Sequence, residues 1–158
     1  MCYDSAKEVK SMRFTLVIDK EKDEEVVATV HTPSPLTEQI EQLVMEYGGT
    51  NRITAFTEDD LKMLSFAEIE CIMVEDDKTW AIDCRGKRYR LKQRLYEVEA
   101  LLPATFIRIN KSAIANKKHL DRFTTAFSGA VDAVFKSGHR EYVSRRCFAE
   151  IKRRFEKL

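Results

Sequence analysis

Between Phe106 and Arg146 the chain runs FIRINKSAIANKKHLDRFTTAFSGAVDAVFKSGHREYVSRR, and its side chains suit the chemistry of a polyanion. Arg108, Lys111, Lys117, Lys118 and Arg122 come from one strand-loop-strand region, and Arg145, Arg146, Lys152 and Arg153 from the terminal segment. Ammonium and guanidinium groups neutralise phosphates. Each phosphate neutralised releases counterions, so binding of this kind falls steeply with salt. Asn110 and Asn116 can donate and accept at once, as base edges require. Ser144 stands where it can cap a helix, whose free N–H groups and positive dipole end favour a phosphate oxygen. If the two stretches converge, lysines at phosphates set register, while Arg146 in a groove supplies about 1–3 kcal/mol of discrimination between bases.

The distribution of charge supports that chemistry. The chain carries 27 basic and 26 acidic side chains, which looks neutral until it is divided. Residues 1–50 hold 5 basic and 10 acidic groups, 51–100 hold 9 and 11, and 101–158 hold 13 and 5. A positive segment on an otherwise acidic chain attracts phosphate through its local field, whatever the net charge. Nucleic acid is the first partner this implies.

Several cations also have plainer readings. Lys152, Arg154 and Lys157 fit the solvated face of a helix. Arg85, Lys87, Arg88 and Arg90 fit the exposed face of a strand, where charge discourages edge-to-edge pairing. Arg108 could pair with an acidic neighbour, and Asn116 could satisfy a turn backbone. Lys111, Ser144 and Arg146 are the residues on which the functional argument concentrates.

Catalysis finds little support. The chain has no P-loop, dinucleotide-binding, zinc-protease or nucleophile-elbow motif. His31, His119 and His139 are isolated in sequence, and Cys2, Cys71, Cys84 and Cys147 form no C-x-x-C or Cys/His ligand cluster. Reduced, mostly buried thiols in a cytoplasmic protein are expected. Glu75-Asp76-Asp77 reads as a charged hairpin turn, because one acidic loop rarely closes an oxygen shell of six or more ligands. Neither metal nor organic cofactor is expected. RNA binding, or a protein-interaction module using the same basic β surface, is the alternative function. Single-strand readers interleave exposed stacking aromatics with basic residues, whereas Phe106, Phe123, Phe127 and Phe135 sit in strand patterns that predict burial.

The elements that must position these residues are legible in outline. With 158 residues, 44 % hydrophobic and 34 % charged, the chain can bury one substantial core and a small appendage. It has no apolar run long enough to cross a bilayer and no secretory signal, so direct membrane insertion is not expected. Residues 14–18 and 26–31 read as short strands. A helix follows, begun by Ser34 and Pro35 and ended by Gly48-Gly49, with Leu36, Ile40, Leu43, Val44 and Tyr47 in one stripe. Residues 1–50 are thus a small acidic β-β-α module. From Arg52 strands dominate: RITAFTE, DLKMLS, IECIMVE, TWAIDC and KRYRLK, with FAE as a single turn between the second and third. A short helix, RLYEVEALLP, turns Leu95, Val98, Leu101 and Leu102 inward and stops at Pro103. FIRI, SAIAN, HLDRFTTAF, AVDAVFK and REYVS follow as strands. In the closing helix Cys147, Phe148, Ile151, Phe155 and Leu158 share one face, and Arg146, Arg153 and Lys157 project opposite.

The order F-I-R-I-N-K-S-x-I-x-N, about twenty-five residues of strand, then G-x-x-x-Y-V-S-R-R and a terminal helix resembles the LytTR DNA-binding domain. With the strands and helix before it, the likeness spans residues 52–158. The resemblance implies a mostly-β domain (α+β overall) of several small sheets, elongated, with a short mid-domain helix and a C-terminal helix. It implies sequence-specific binding of double-stranded DNA in bacterial transcription, through loops and the start of the last helix. Promoter direct repeats occupied by two copies are the implied target, and a membrane protein is an implied regulatory partner for small members of this shape. Lys111 falls at a base-contacting position with Ser112 beside it as a phosphate contact. Ser144 corresponds to a phosphate ligand and Arg146 to a base contact, with Arg145 adjacent. Lys78 falls nearest a third insertion point. The candidate DNA-contacting set is therefore Lys78, Arg108, Asn110, Lys111, Ser112, Asn116, Lys117, Tyr142, Ser144, Arg145 and Arg146. Asn110 and Lys111 stand where the family commonly has His and Arg, and Lys lacks the planar fork suited to bidentate guanine recognition. Only about fifty residues precede the match, too few for a receiver domain. Control by phosphorelay is therefore not expected.

Overall fold

The computed structural model describes residues 12–48 and 51–156. A helix, α1 (Pro35–Gly48), precedes five strands, β1 (Arg52–Phe56), β2 (Leu61–Ser65), β3 (Ile69–Glu75), β4 (Lys78–Asp83) and β5 (Arg88–Leu91). Next come α2 (Leu95–Leu101), β6 (Phe106–Asn110), β7 (Ala113–Asn116), β8 (Leu120–Thr125), β9 (Val131–Phe135), β10 (Arg140–Val143) and α3 (Arg145–Glu156). Single 3-10 turns, Phe66–Glu68 and Lys117–His119, link β2 to β3 and β7 to β8. The mostly-β class expected from the sequence is the class observed. Seven strands form one antiparallel sheet in the order β2-β1-β5-β4-β3-β7-β6, and three form a second in the order β10-β9-β8.

Two cores follow from the alternation of side chains along the strands. In β1, Ile53 and Ala55 are buried and their neighbours are not. They join Leu64, Phe66, Ile69, Ile72, Leu91, Leu95 and Val98 in a first cluster, which α2 helps to cover. The second cluster lies between the two sheets and α3, and includes Cys71, Ile107, Ile109, Val131, Phe135, Val143 and Ile151. β3 is buried on both faces because Ile69 and Ile72 enter the first core and Cys71 the second. Each fully buried Leu, Ile or Phe side chain contributes about 1.5–3 kcal/mol. Losing a β3 side chain therefore affects a strand that both cores share.

The hairpin between β3 and β4 turns on Asp76 and Asp77, both with positive φ (52° and 57°). Two consecutive left-handed residues make the turn whose twist matches the flanking strands, and Asp tolerates that conformation better than most residues. This explains why an acidic pair sits at the tip between Glu75 and Lys78.

The N-terminal expectations are partly overturned. Residues 14–18 and 26–31 form no strand, and Phe14, Leu16, Val17, Ile18, Val26 and Val27 are exposed. Their β propensity is real, but no sheet edge pairs with them, and propensity without cross-strand partners does not make a strand. The α1 helix forms as expected, with Thr37 Oγ1 accepting from the Ser34 N–H at 2.9 Å. Its apolar stripe is not covered, however: Leu36, Leu43, Val44 and Tyr47 are exposed.

Four smaller expectations also fail. Leu101 is half-exposed at the last turn of α2, and Phe155 near the end of α3. Phe127 is fully exposed, because it lies in the β8–β9 turn rather than in a strand. Cys84 is exposed, while Cys71 is buried and Cys147 half-buried. Cys2 and Leu158 lie outside the described residues. No helix among the described residues is long and apolar enough to cross a membrane.

Candidate nucleic-acid interface

Strand direction brings three connections to one end of the large sheet. Because β7 pairs antiparallel to β3 with Met73 opposite Ala113, the β6–β7 turn at Lys111-Ser112 lies beside the β3–β4 turn. The Val74 N–H donates to the Ser112 carbonyl at 2.8 Å, which fixes that adjacency. Lys78, opposite Glu75 at the other side of the hairpin, is exposed at the same end.

The third connection, β10 to α3, is tied to the same turn. The Ser144 N–H donates to the Ile109 carbonyl at 2.8 Å, and the Asn110 side-chain amide donates to the Tyr142 carbonyl at 2.6 Å. Asn110 Oδ1 in turn accepts from the Ser112 N–H at 2.7 Å, a local turn of the kind Asn side chains stabilise. The Asn110 side chain is therefore occupied at both ends and buried. It ties the Lys111 turn to the end of β10, with neither end of its amide left unpaired.

Arg108 is likewise bonded within the fold. Its Nε donates to the Asn110 carbonyl at 2.8 Å, one terminal nitrogen to the Lys111 carbonyl at 2.6 Å, and the other to Glu99 at 2.7 Å. It braces the turn from behind. No periodic signal in the sequence links residues 99 and 108, so Glu99 of α2 was not legible as the partner.

Lys111 itself extends from this braced turn and is exposed, with Ser112 half-buried beside it. At the start of α3, Ser144 Oγ accepts from the Cys147 N–H at 3.2 Å and caps the helix as expected. Arg145 and Arg146 follow it as the first two helical residues, and both are exposed. Tyr142 is half-exposed, and its carbonyl accepts the Asn110 bond. The arrangement gives cationic side chains next to a helix N-terminus, where positive dipole charge adds to their field.

Asn116 and Lys117 do not join this group. Asn116 is buried, donating to the Ile69 carbonyl at 2.9 Å and accepting from the Lys118 N–H at 3.1 Å. It satisfies backbone, which was the plainer of its two readings. Lys117 is exposed, but it leaves β7 at the opposite end from Lys111; the four strand residues between them span about 3.3 Å each. The cations of β5 lie on one face of a strand inside the sheet, between β1 and β4, and guard no edge. Arg88 stacks over Trp80 at 4.8 Å and Arg90 at 5.9 Å, and Arg88 also pairs with Glu75.

Comparison with known proteins gives a consistent result. The family model described as the LytTr DNA-binding domain matches residues 59–156. An uncharacterized HTH-type transcriptional regulator of Staphylococcus aureus (strain MSSA476) is 28 % identical over 145 residues, covering 90 % of this chain and 97 % of that protein. Its counterpart in strain NCTC 8325 matches to the same extent. Among solved structures, the LytTr DNA-binding domain of a Bacillus cereus protein described as a methyl-accepting/DNA response regulator superposes with a TM-score of 0.60 at 24 % identity. That match covers 65 % of this chain and 94 % of the other, and it speaks for the fold.

Proposed function

The chain belongs to the LytTR DNA-binding domain family, and from that premise we propose that it is a transcriptional regulator gripping promoter DNA through the sheet end that carries Lys78, Lys111 and Arg146. The observation that carries this reading is the Asn110–Tyr142 bond, with Ser144 bonded to Ile109 alongside it. Two segments far apart in sequence are thereby joined close to the backbone, and each carries exposed cations. Ser112, Ser144 and the N–H groups opening α3 hold phosphates and set register, with Arg145 adding charge. Lys111, Arg146 and Lys78 reach base edges. Two copies occupy direct repeats about one helical turn (~10 bp) apart, which puts both on one face of the duplex. The uncovered apolar side chains of residues 14–47 support a protein partner for the N-terminal part, and a membrane protein is the partner proposed. The reading calls on no organic cofactor.

The test is binding of a promoter fragment from the gene's own neighbourhood, at several salt concentrations, by wild type and Arg146→Ala. Wild type should prefer that fragment over random duplex. Arg146→Ala should lose about 1–3 kcal/mol of that preference while keeping its circular dichroism. Equal wild-type affinity for every duplex, or a preference for single strands, would overturn the reading in favour of an RNA-binding or interaction module.

A further inference from the structure

Away from the DNA-facing end, the seam between the two sheets holds an unusual set of polar side chains. The register of β3 against β4 steps from Ile69 opposite Asp83 to Cys71 opposite Ile82, leaving Glu70 as an extra residue in a bulge. A bulge breaks the two-residue alternation. Ile69 and Ile72 both stay in the first core, while Cys71 faces the second, and Glu70 turns to the small sheet, where its Oε1 accepts from Ser137 Oγ at 2.7 Å. The small sheet contributes His139, just before β10, and Glu141 within it. Cys71 Sγ, a ring nitrogen of His139 and a carboxylate oxygen of Glu141 all lie within 4.8 Å of one another.

Two further observations show that the cluster is chemically incomplete. His139 Nε2 is buried without a hydrogen-bond partner, although Glu141 Oε2 stands 3.4 Å away. Glu70 Oε2 is likewise buried and unpartnered, on a residue only 1 % exposed. Buried polar atoms are nearly always satisfied, because one left unpaired has lost its water without gaining a partner. A sulfur, an imidazole nitrogen and a carboxylate converging where two lone-pair-bearing atoms lack partners is a donor set in need of an acceptor.

We propose that Cys71, His139 and Glu141 bind one divalent transition metal of the zinc class. Sulfur and nitrogen donors select such an ion over calcium or magnesium, which take oxygen shells. With a thiolate, a carboxylate and a neutral imidazole the ion's two charges are balanced, as a buried site requires. Bonds of about 2.3 Å to sulfur and about 2.0–2.2 Å to nitrogen and oxygen would fill three tetrahedral positions and leave the fourth to a water molecule. The three donors reach that geometry by closing together slightly. Binding through sulfur requires the thiolate, so the thiol proton is released to solvent as the ion binds. His139 and Glu141 are partly exposed, which gives the ion its way in. Bound there, it cross-links β3 of the large sheet to β10 of the small one, with Glu141 three residues before Ser144 on the strand that leads into α3.

Full-length, tag-free, reduced protein is titrated with Co2+ and then with Zn2+. The expected result is one equivalent bound, with visible tetrahedral cobalt bands, thiolate-to-cobalt charge transfer, displacement by zinc, and a zinc-dependent rise in melting temperature. Cys71→Ser should abolish the charge-transfer band, and His139→Ala and Glu141→Gln should each weaken cobalt binding by more than about 100-fold, beyond what losing an outer-shell partner causes. Cys84→Ser, at the exposed thiol, should change nothing. His139→Ala and Glu141→Gln carry the test if Cys71→Ser does not fold. Absence of tetrahedral cobalt spectra in folded wild type, or wild-type affinity in His139→Ala and Glu141→Gln, overturns the proposal and leaves a metal-free His139–Glu141 pair.

Discussion

The side-chain amide of Asn110 donates to the main-chain carbonyl of Tyr142 at 2.6 Å, joining the end of β6 to the strand that leads into α3. Its other end holds the Ser112 N–H at 2.7 Å, so one buried side chain fixes both the Lys111 turn and its distance from Ser144. Asn110→Ala leaves a buried carbonyl and an N–H without partners, and should lower stability by about 1–3 kcal/mol. Urea unfolding should show a lower midpoint with an unchanged slope. Asn110→Asp keeps the bond to Ser112 but sets carboxylate lone pairs against the Tyr142 carbonyl, so it should destabilise at least as much.

Lys111 is exposed on that turn. Lys111→Arg adds the planar fork that pairs bidentately with guanine O6 and N7. Selection from randomised duplexes should show a stronger guanine preference at one position of each repeat, with the other positions unchanged. An identical selected sequence would place Lys111 at a phosphate or away from the DNA.

Arg108 lies behind the same turn with its charge paired to Glu99 at 2.7 Å. If it braces the turn and touches no phosphate, Arg108→Ala should weaken DNA binding without changing how affinity depends on salt. A phosphate-contacting cation should instead reduce that logarithmic slope by about 0.9. Equilibrium binding across a salt series separates the two roles.

These cases show where sequence was informative. The strands from Arg52 onward, α2 and α3 were legible because alternation, turn residues and the Ser144 cap are local signals. Lys111, Arg145 and Arg146 were legible as exposed cations. The intramolecular partners of Asn110, Asn116 and Arg108, the Tyr142 and Ile69 carbonyls and Glu99, were not legible because they come close only through folding. Residues 14–18 and 26–31 had strand composition but no edge to pair with. Cys71, His139 and Glu141 looked unrelated because a bulge and a hairpin turn, rather than any spacing, bring them together.

The uncovered N-terminal part supports a last prediction, that residues 1–50 are a separable module. No residue from 12 to 48 is buried, and neither hydrophobic cluster contains a residue before Ile53. A bond that does cross is the Ala104 N–H to Glu41 at 2.9 Å, between exposed groups. Removing residues 1–50 therefore deletes no buried side chain among residues 12–48 and no member of either hydrophobic cluster. The remaining domain should unfold cooperatively with stability within about 0.5 kcal/mol of the full chain, as expected for changes outside the core. It should also keep its affinity for a single repeat, since Lys78, Lys111, Ser144 and Arg146 all lie beyond the cut. A large fall in the unfolding midpoint would show that α1 belongs to the same cooperative unit as the sheets. Full stability with lost binding to paired repeats would instead assign the N-terminal residues to contact between the two DNA-bound copies.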